Sequence, residues 1–155
     1  MRKLLFVLLL SAALWADKYE GPRPDKTDLP YLVHADNLVP TEAVDAKQSN
    51  AKGDVTYVIP GAQSTVRTPL STPSFLMRVE EISADHMQLF KLTSKGGQRE
   101  VLFSRKNKRM ARPIRLNVTH LDGDLYKIQV DDILENGEYS LSPDTSDKAF
   151  CFQVY

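Results

Sequence analysis

Beyond residue 54 the apolar residues of this chain fall into short runs of period two, each closed by a turn signal. No helical pattern there is long enough to build a second layer. Val55-Thr56-Tyr57-Val58-Ile59 ends at Pro60-Gly61, and a proline-studded stretch leads to Phe75-Leu76-Met77-Arg78-Val79. A run over Met87 to Leu92 precedes Gly96-Gly97, which turns the chain into Glu100-Val101-Leu102-Phe103. Ile114, Leu116 and Val118 share one face. Asp122-Gly123 then signals a hairpin, and Tyr126, Ile128 and Val130 form the apolar face of the returning strand. Tyr139-Ser140-Leu141 and Phe150 to Tyr155 close the sequence. About seven or eight half-buried strands cannot hide their apolar faces alone, so an all-β, antiparallel two-sheet sandwich is expected over residues 54–155.

Upstream, the composition changes. Arg2 and Lys3 precede the unbroken apolar run Leu4 to Leu10, and small residues follow up to Ala16. Residues 1–16 therefore read as a cleaved signal peptide, too short in its apolar part to span a bilayer. The expected destination is the periplasm or the outside of the cell, with no transmembrane segment in the mature chain. Residues 17–53 read as an extended linker or tail, punctuated by Pro22, Pro24, Pro30 and Pro40. Within it, Tyr31-Leu32-Val33 is apolar enough to dock as an edge strand. Thr41 to Gln48 suits a helical turn or two.

Cys151 is the only cysteine, so an exported domain of this sequence must be stable without an intrachain disulfide. Its neighbours Phe150 and Phe152 mark it as a buried small hydrophobe. Just before it, Leu134-Glu135-Asn136-Gly137-Glu138-Tyr139-Ser140-Leu141 resembles the L-x-x-G-x-Y-x-L approach to the penultimate strand of immunoglobulin-like sandwiches. That resemblance implies a tyrosine corner, with Gly137 and Tyr139 as structural residues and the Tyr139 hydroxyl bonded to backbone upstream. The chain is also similar to short secreted bacterial proteins. The similarity rests on Pro30 to Asn37, on Asn136 to Pro143 and on the ending Phe150 to Tyr155. It brings no catalytic residues with it.

Charge is balanced overall, with 20 basic and 20 acidic residues, which gives no global attraction to nucleic acid or membrane. Locally it is not. Lys91 to Arg115 holds nine basic residues against Glu100, whereas His120 to Tyr155 holds eight acidic residues against Lys127 and Lys148. Arg105, Lys106, Lys108, Arg109 and Arg112 form the densest basic stretch and are the candidate anion or partner contact. The cluster has no interleaved aromatic side chains, which argues against single-stranded nucleic acid.

Catalytic and metal-binding constellations lack sequence support. His34, His86 and His120 stand far apart, outside any metal-ligand spacing, and the Asp-rich turns match no calcium loop. No serine occupies a nucleophile elbow, no glycine loop suits phosphate, and no base adjoins Cys151. No metal or cofactor is expected. The functional expectation is a non-catalytic binding or interaction module of the cell envelope, with an envelope protein or an anionic envelope polymer as partner. The alternative is a small secreted hydrolase or thiol enzyme whose site converges only in space.

Overall fold

The computed structural model describes residues 18–51, 53–104 and 111–155. Residues 1–16, expected to be a signal peptide, and Arg105, Lys106, Lys108 and Arg109 lie outside them. The described chain is all-β, with two sheets whose neighbouring strands are antiparallel throughout, apart from one short parallel pair. The smaller sheet runs β10 (Leu116–Asp122), β11 (Leu125–Val130), β7 (Ser74–Arg78), β1 (Tyr31–His34), β2 (Asn37–Pro40). The larger runs β3 (Glu42–Asp45), β13 (Lys148–Val154), β12 (Gly137–Pro143), β8 (Met87–Lys95), β9 (Gln98–Ser104), β5 (Asp54–Pro60), β4 (Lys47–Ala51). The two-residue β6 (Arg67–Thr68) lies parallel along the end of β13.

The two sheets face each other across one core. Leu32, Phe75, Met77 and Ile128 of the smaller sheet meet Leu89, Leu141, Phe150 and Phe152 of the larger. The Phe75 and Phe152 rings lie 5.0 Å apart, and Tyr139 stacks on Phe152 at 5.6 Å. Each such side chain contributes roughly 1.5–3 kcal/mol by leaving water. Turn chemistry sets the hairpins. Gly96 and Gly97, with φ of 61° and 77°, supply the left-handed pair that joins β8 to β9. The β10–β11 turn centres on Gly123-Asp124, one residue later than the Asp-Gly signal suggests, next to a register shift between His120 and Asp122.

The expectation of a linker over residues 17–53 is corrected by the structure, because residues 31–51 carry four strands. Tyr31 and Leu32 are buried between β2 and β7, so β1 is an interior strand of the smaller sheet rather than its edge. Thr41 to Gln48 is extended, not helical. Glu42 and Val44 turn inward while Ala43 and Asp45 face solvent, a period of two that suits a strand. The prolines fit this arrangement, since Pro40 ends the edge strand β2 and Pro60 ends β5. With these four and the short β6, the described residues hold thirteen strands where seven or eight were expected.

Ahead of β1, residues 18–30 are tied to the β10–β11 hairpin and to the end of β7 with the residues that follow it. Arg23 pairs with Asp122, and Arg78 with Asp124 at 3.0 Å. Asp28 collects the backbone N–H groups of Glu80, Glu81 and Ile82 at 2.9–3.1 Å. Burial works to raise the Asp28 carboxyl pKa, but these N–H donors outweigh it and hold the value below its ordinary one.

The Tyr139 hydroxyl donates to the Glu135 carbonyl at 2.8 Å, fixing the turn that leads into β12. Tyr139→Phe should remove about 1–3 kcal/mol of stability in urea unfolding, because the Glu135 carbonyl loses its donor.

Candidate functional site

The larger sheet closes on itself. Its end strands β3 and β4 are consecutive in sequence and separated by Ala46 alone, so one residue carries the chain from one edge to the other. The Ala46 N–H donates to the Asp147 carbonyl at 2.8 Å, tying this corner to the β12–β13 turn. The sheet is therefore rolled, with one face toward the smaller sheet and the other toward a lumen. The alternation of side chains gives the lumen its lining. Directly paired residues share a face, and the pairs Tyr57↔Val101, Ile59↔Arg99, Phe90↔Ser140, Ser140↔Cys151, Cys151↔Glu42 and Ala149↔Val44 all point inward. These positions make up the second apolar cluster, which includes Ile59, Phe90, Leu92, Val101, Ala149 and Cys151.

One end of the roll is sealed by charge. The Arg99 guanidinium is completely buried and grips Glu42 in a bidentate pair, Nη1 to Oε2 at 3.0 Å and Nη2 to Oε1 at 2.8 Å. It also donates to the Pro60 and Gly61 carbonyls at 2.8 and 2.9 Å. A second carboxylate, Glu138, sits 3.6 Å from Arg99 Nη1. Its Oε2 accepts the Ser64 N–H at 2.9 Å, while its buried Oε1 has no partner. The loop after β5 is thus strapped over this end. Burial pushes the Glu138 carboxyl pKa above its ordinary value. Burial acts the same way on Glu42, but the Arg99 hydrogen bonds prevail and hold it low.

The other end is open. A cleft of about 140 Å³ enters the lumen there. Its aromatic wall is built from Tyr57, Phe90 and Phe103, packed edge to face at centroid distances of 5.7 and 5.2 Å. On β12, the neighbour of the strand that carries Phe90, the Ser140 and Ser142 hydroxyls lie 2.8 Å apart. Asp144, Ser146, Asp147 and Lys148 of the β12–β13 turn form the rim. The seam between β8 and β9 is paired only over Thr93–Lys95 and Gln98–Glu100. Farther along, the seam is bridged by backbone, with the Ala111 N–H donating to the Leu102 carbonyl and the Ile114 N–H to the Leu89 carbonyl.

The residues singled out in the sequence do not assemble into one site. Arg112 is exposed between β9 and β10, and the rest of the basic stretch lies outside the described residues. Gly137 opens β12, where a Cβ would stand 3.3 Å from Lys91 Cε, whose ammonium pairs with Glu135 at 2.8 Å. Cys151 is fully buried between Glu42 and Ser140, and burial pushes its thiol pKa up to about 12. His34 and His120 are exposed, and His120 Nε2 lies 2.8 Å from the Gly123 carbonyl. His86 is exposed too, with Nδ1 3.6 Å from Asp144. Among the described residues, no hydrogen bond joins an imidazole to a serine hydroxyl or to Cys151, and no three potential ligands are grouped to hold a metal ion. No helix there is long and apolar enough to cross a membrane. Compared with known proteins, the chain matches no family model, no curated protein and no solved structure.

The lumen was hidden in the sequence, although its period-two signal is present. Arg99, Val101 and Phe103 alternate on β9, and Ala149 and Cys151 on β13. The unusual member of that series is Arg99, a charged residue in an inward register.

Arg99→Met should cost about 3–5 kcal/mol, since it leaves two carboxylates without their cation. The pH dependence has two limbs of opposite sign. Glu138, raised in the folded state, contributes stability that is fully present below its unfolded value of 4.5 and is lost as pH rises through the folded one. Glu42, lowered, contributes above 4.5, and that contribution is lost as pH falls. Glu138→Gln should therefore flatten the decline on the alkaline side and leave the acid limb in place, as read from melting temperatures between about pH 3 and pH 9. Cys151 should resist a thiol reagent in the native protein and react at once in denaturant.

Proposed function

We propose that this is an exported, non-catalytic binding module of the cell envelope, and that the lumen of its rolled sheet receives the ligand. The observation that carries this reading is the open, aromatic-walled cleft, an apolar concavity with a few convergent polar groups of the kind that binds small ligands. The leader at residues 1–16 supports export. Against a thiol or serine hydrolase stand the deeply buried, protonated Cys151 and two lumen serines with no base beside them, bonded to each other and to backbone, with Ser140 also beside the Cys151 thiol. The basic stretch from Arg105 to Arg112 supplies a second, charged contact for an envelope partner.

The same reading includes an immunoglobulin-like topology. Taken in chain order, β1, β7, β8, β10, β11, β12 and β13 correspond to strands A to G of that fold. The D-E-B-A order then reads β10-β11-β7-β1, and G-F-C reads β13-β12-β8. The Tyr139–Glu135 bond supports the tyrosine corner. Strand β9 extends the second sheet beyond C, and the β4–β5 hairpin with β3 is an elaboration that rolls it.

A fragment screen by ligand-observed NMR on the mature chain tests the binding reading. Small apolar compounds should bind the native protein and lose binding in Ala149→Leu, which fills the lumen. Turnover of ester or amide substrates by the purified protein would overturn it. Fractionation of cells expressing the full chain should recover the processed protein outside the cytoplasm.

A further inference from the structure

The shape and polarity of the lumen narrow what it can hold, and this inference rests on the binding reading above. A volume of about 140 Å³ is close to the ~150 Å³ of an engineered apolar cavity that accepts benzene. One six-membered ring, or a chain of similar bulk, fills it. Tyr57, Phe90 and Phe103 offer such a ring apolar contact on one side.

On β12, the strand next to Phe90, lies the hydroxyl pair. Ser140 Oγ is 2.8 Å from Ser142 Oγ and 3.3 Å from the Leu141 carbonyl. Because Ser140 donates to the Leu141 carbonyl, we assign the proton shared by the two hydroxyls to Ser142, and both O–H protons are then used within the wall. The Ser142 oxygen then keeps free lone pairs, so the wall accepts a hydrogen bond more readily than it gives one.

Among the described residues, the charges around the lumen speak against an ionised ligand. Arg99 is committed to Glu42 and to two backbone carbonyls, and Cys151 is neutral. At the mouth an anion would meet Asp144 and Asp147, while Lys148 already faces Asp45 at 3.8 Å. A cation would have to leave its hydration shell for aromatic and aliphatic walls.

The geometry points to a site for a neutral, phenol-like group, one ring carrying a single hydroxyl or N–H donor aimed at the Ser142 oxygen. Such a group reaches the lumen as a free small molecule or as the tyrosine side chain of a partner.

Amide shifts of the mature protein in heteronuclear NMR, followed during titration with p-cresol, toluene and p-toluate, test this. Saturable shifts at Ser140, Ser142 and Ala149 are expected with p-cresol, about fivefold to tenfold tighter than with toluene, the worth of one hydrogen bond. p-Toluate should bind more weakly than either. Ser142→Ala should bring p-cresol to the affinity of toluene, and Ala149→Leu should abolish both, with amide dispersion showing that each variant folds. N-acetyltyrosinamide carries the same ring on a peptide backbone. Its binding alongside p-cresol assigns a partner's tyrosine, and p-cresol alone assigns a free ligand. Toluene or p-toluate binding as tightly as p-cresol would overturn the donor assignment and leave the lumen as a binding site. If none of the probes shifts the lumen amides, the binding reading itself fails.

Discussion

Ala46 is the hinge on which the larger sheet turns. A seven-strand sheet with free ends would leave β3 and β4 as two distant edges, each with unpaired backbone groups. With a single residue between them, those ends must meet, and the sheet has to coil. Coiling gives the sheet two buried faces where a simple sandwich layer has one. Phe150 and Phe152 serve the core against the smaller sheet, while Ala149 and Cys151, alternating with them, serve the lumen. That is why β13 is buried at almost every position and reads as a continuous apolar run.

The two ends of the lumen are built on opposite principles. At the strapped end, a buried guanidinium is shared between two carboxylates, an arrangement that is costly to desolvate and is held by many hydrogen bonds. Its partners come from β3, β9, β12 and the loop after β5, so the cluster registers four separate segments against one another. At the open end, contacts are aromatic and backbone-mediated, and the seam between β8 and β9 has few ladder bonds. The buried ion cluster closes one end of the lumen, and the accessible space opens at the other.

The legible part of this fold was the part with a strong period and clear punctuation. Eight of the nine strands from residue 54 onward show themselves through their apolar runs, the Gly96-Gly97 turn and the Gly123 turn, the exception being the two-residue β6, and the Tyr139 bond follows from the G-x-Y spacing. The strands before residue 54 do not. Lys47–Ala51 is exposed along its whole length, so no apolar face marks it, and its extended form is imposed by pairing with β5. Ala35-Asp36 turns β1 into β2 with a non-glycine residue at φ 53°, a hairpin without the usual glycine signal. The lumen depends on which strands become neighbours, and pairings such as Cys151 with Glu42 are set by tertiary packing far beyond any local window.

Closure by β3 also orders events in time. Ala43 pairs with Phe150, more than a hundred residues away, so the roll cannot shut until nearly all of the described chain is available. Contacts of such long range slow folding, because a large loop must be closed before any pairing offsets its entropy. A chain that stays open this long remains threadable through a narrow translocation pore. It also shows unpaired strand edges to its neighbours for the same interval, which ties its yield to how crowded the compartment is while it folds.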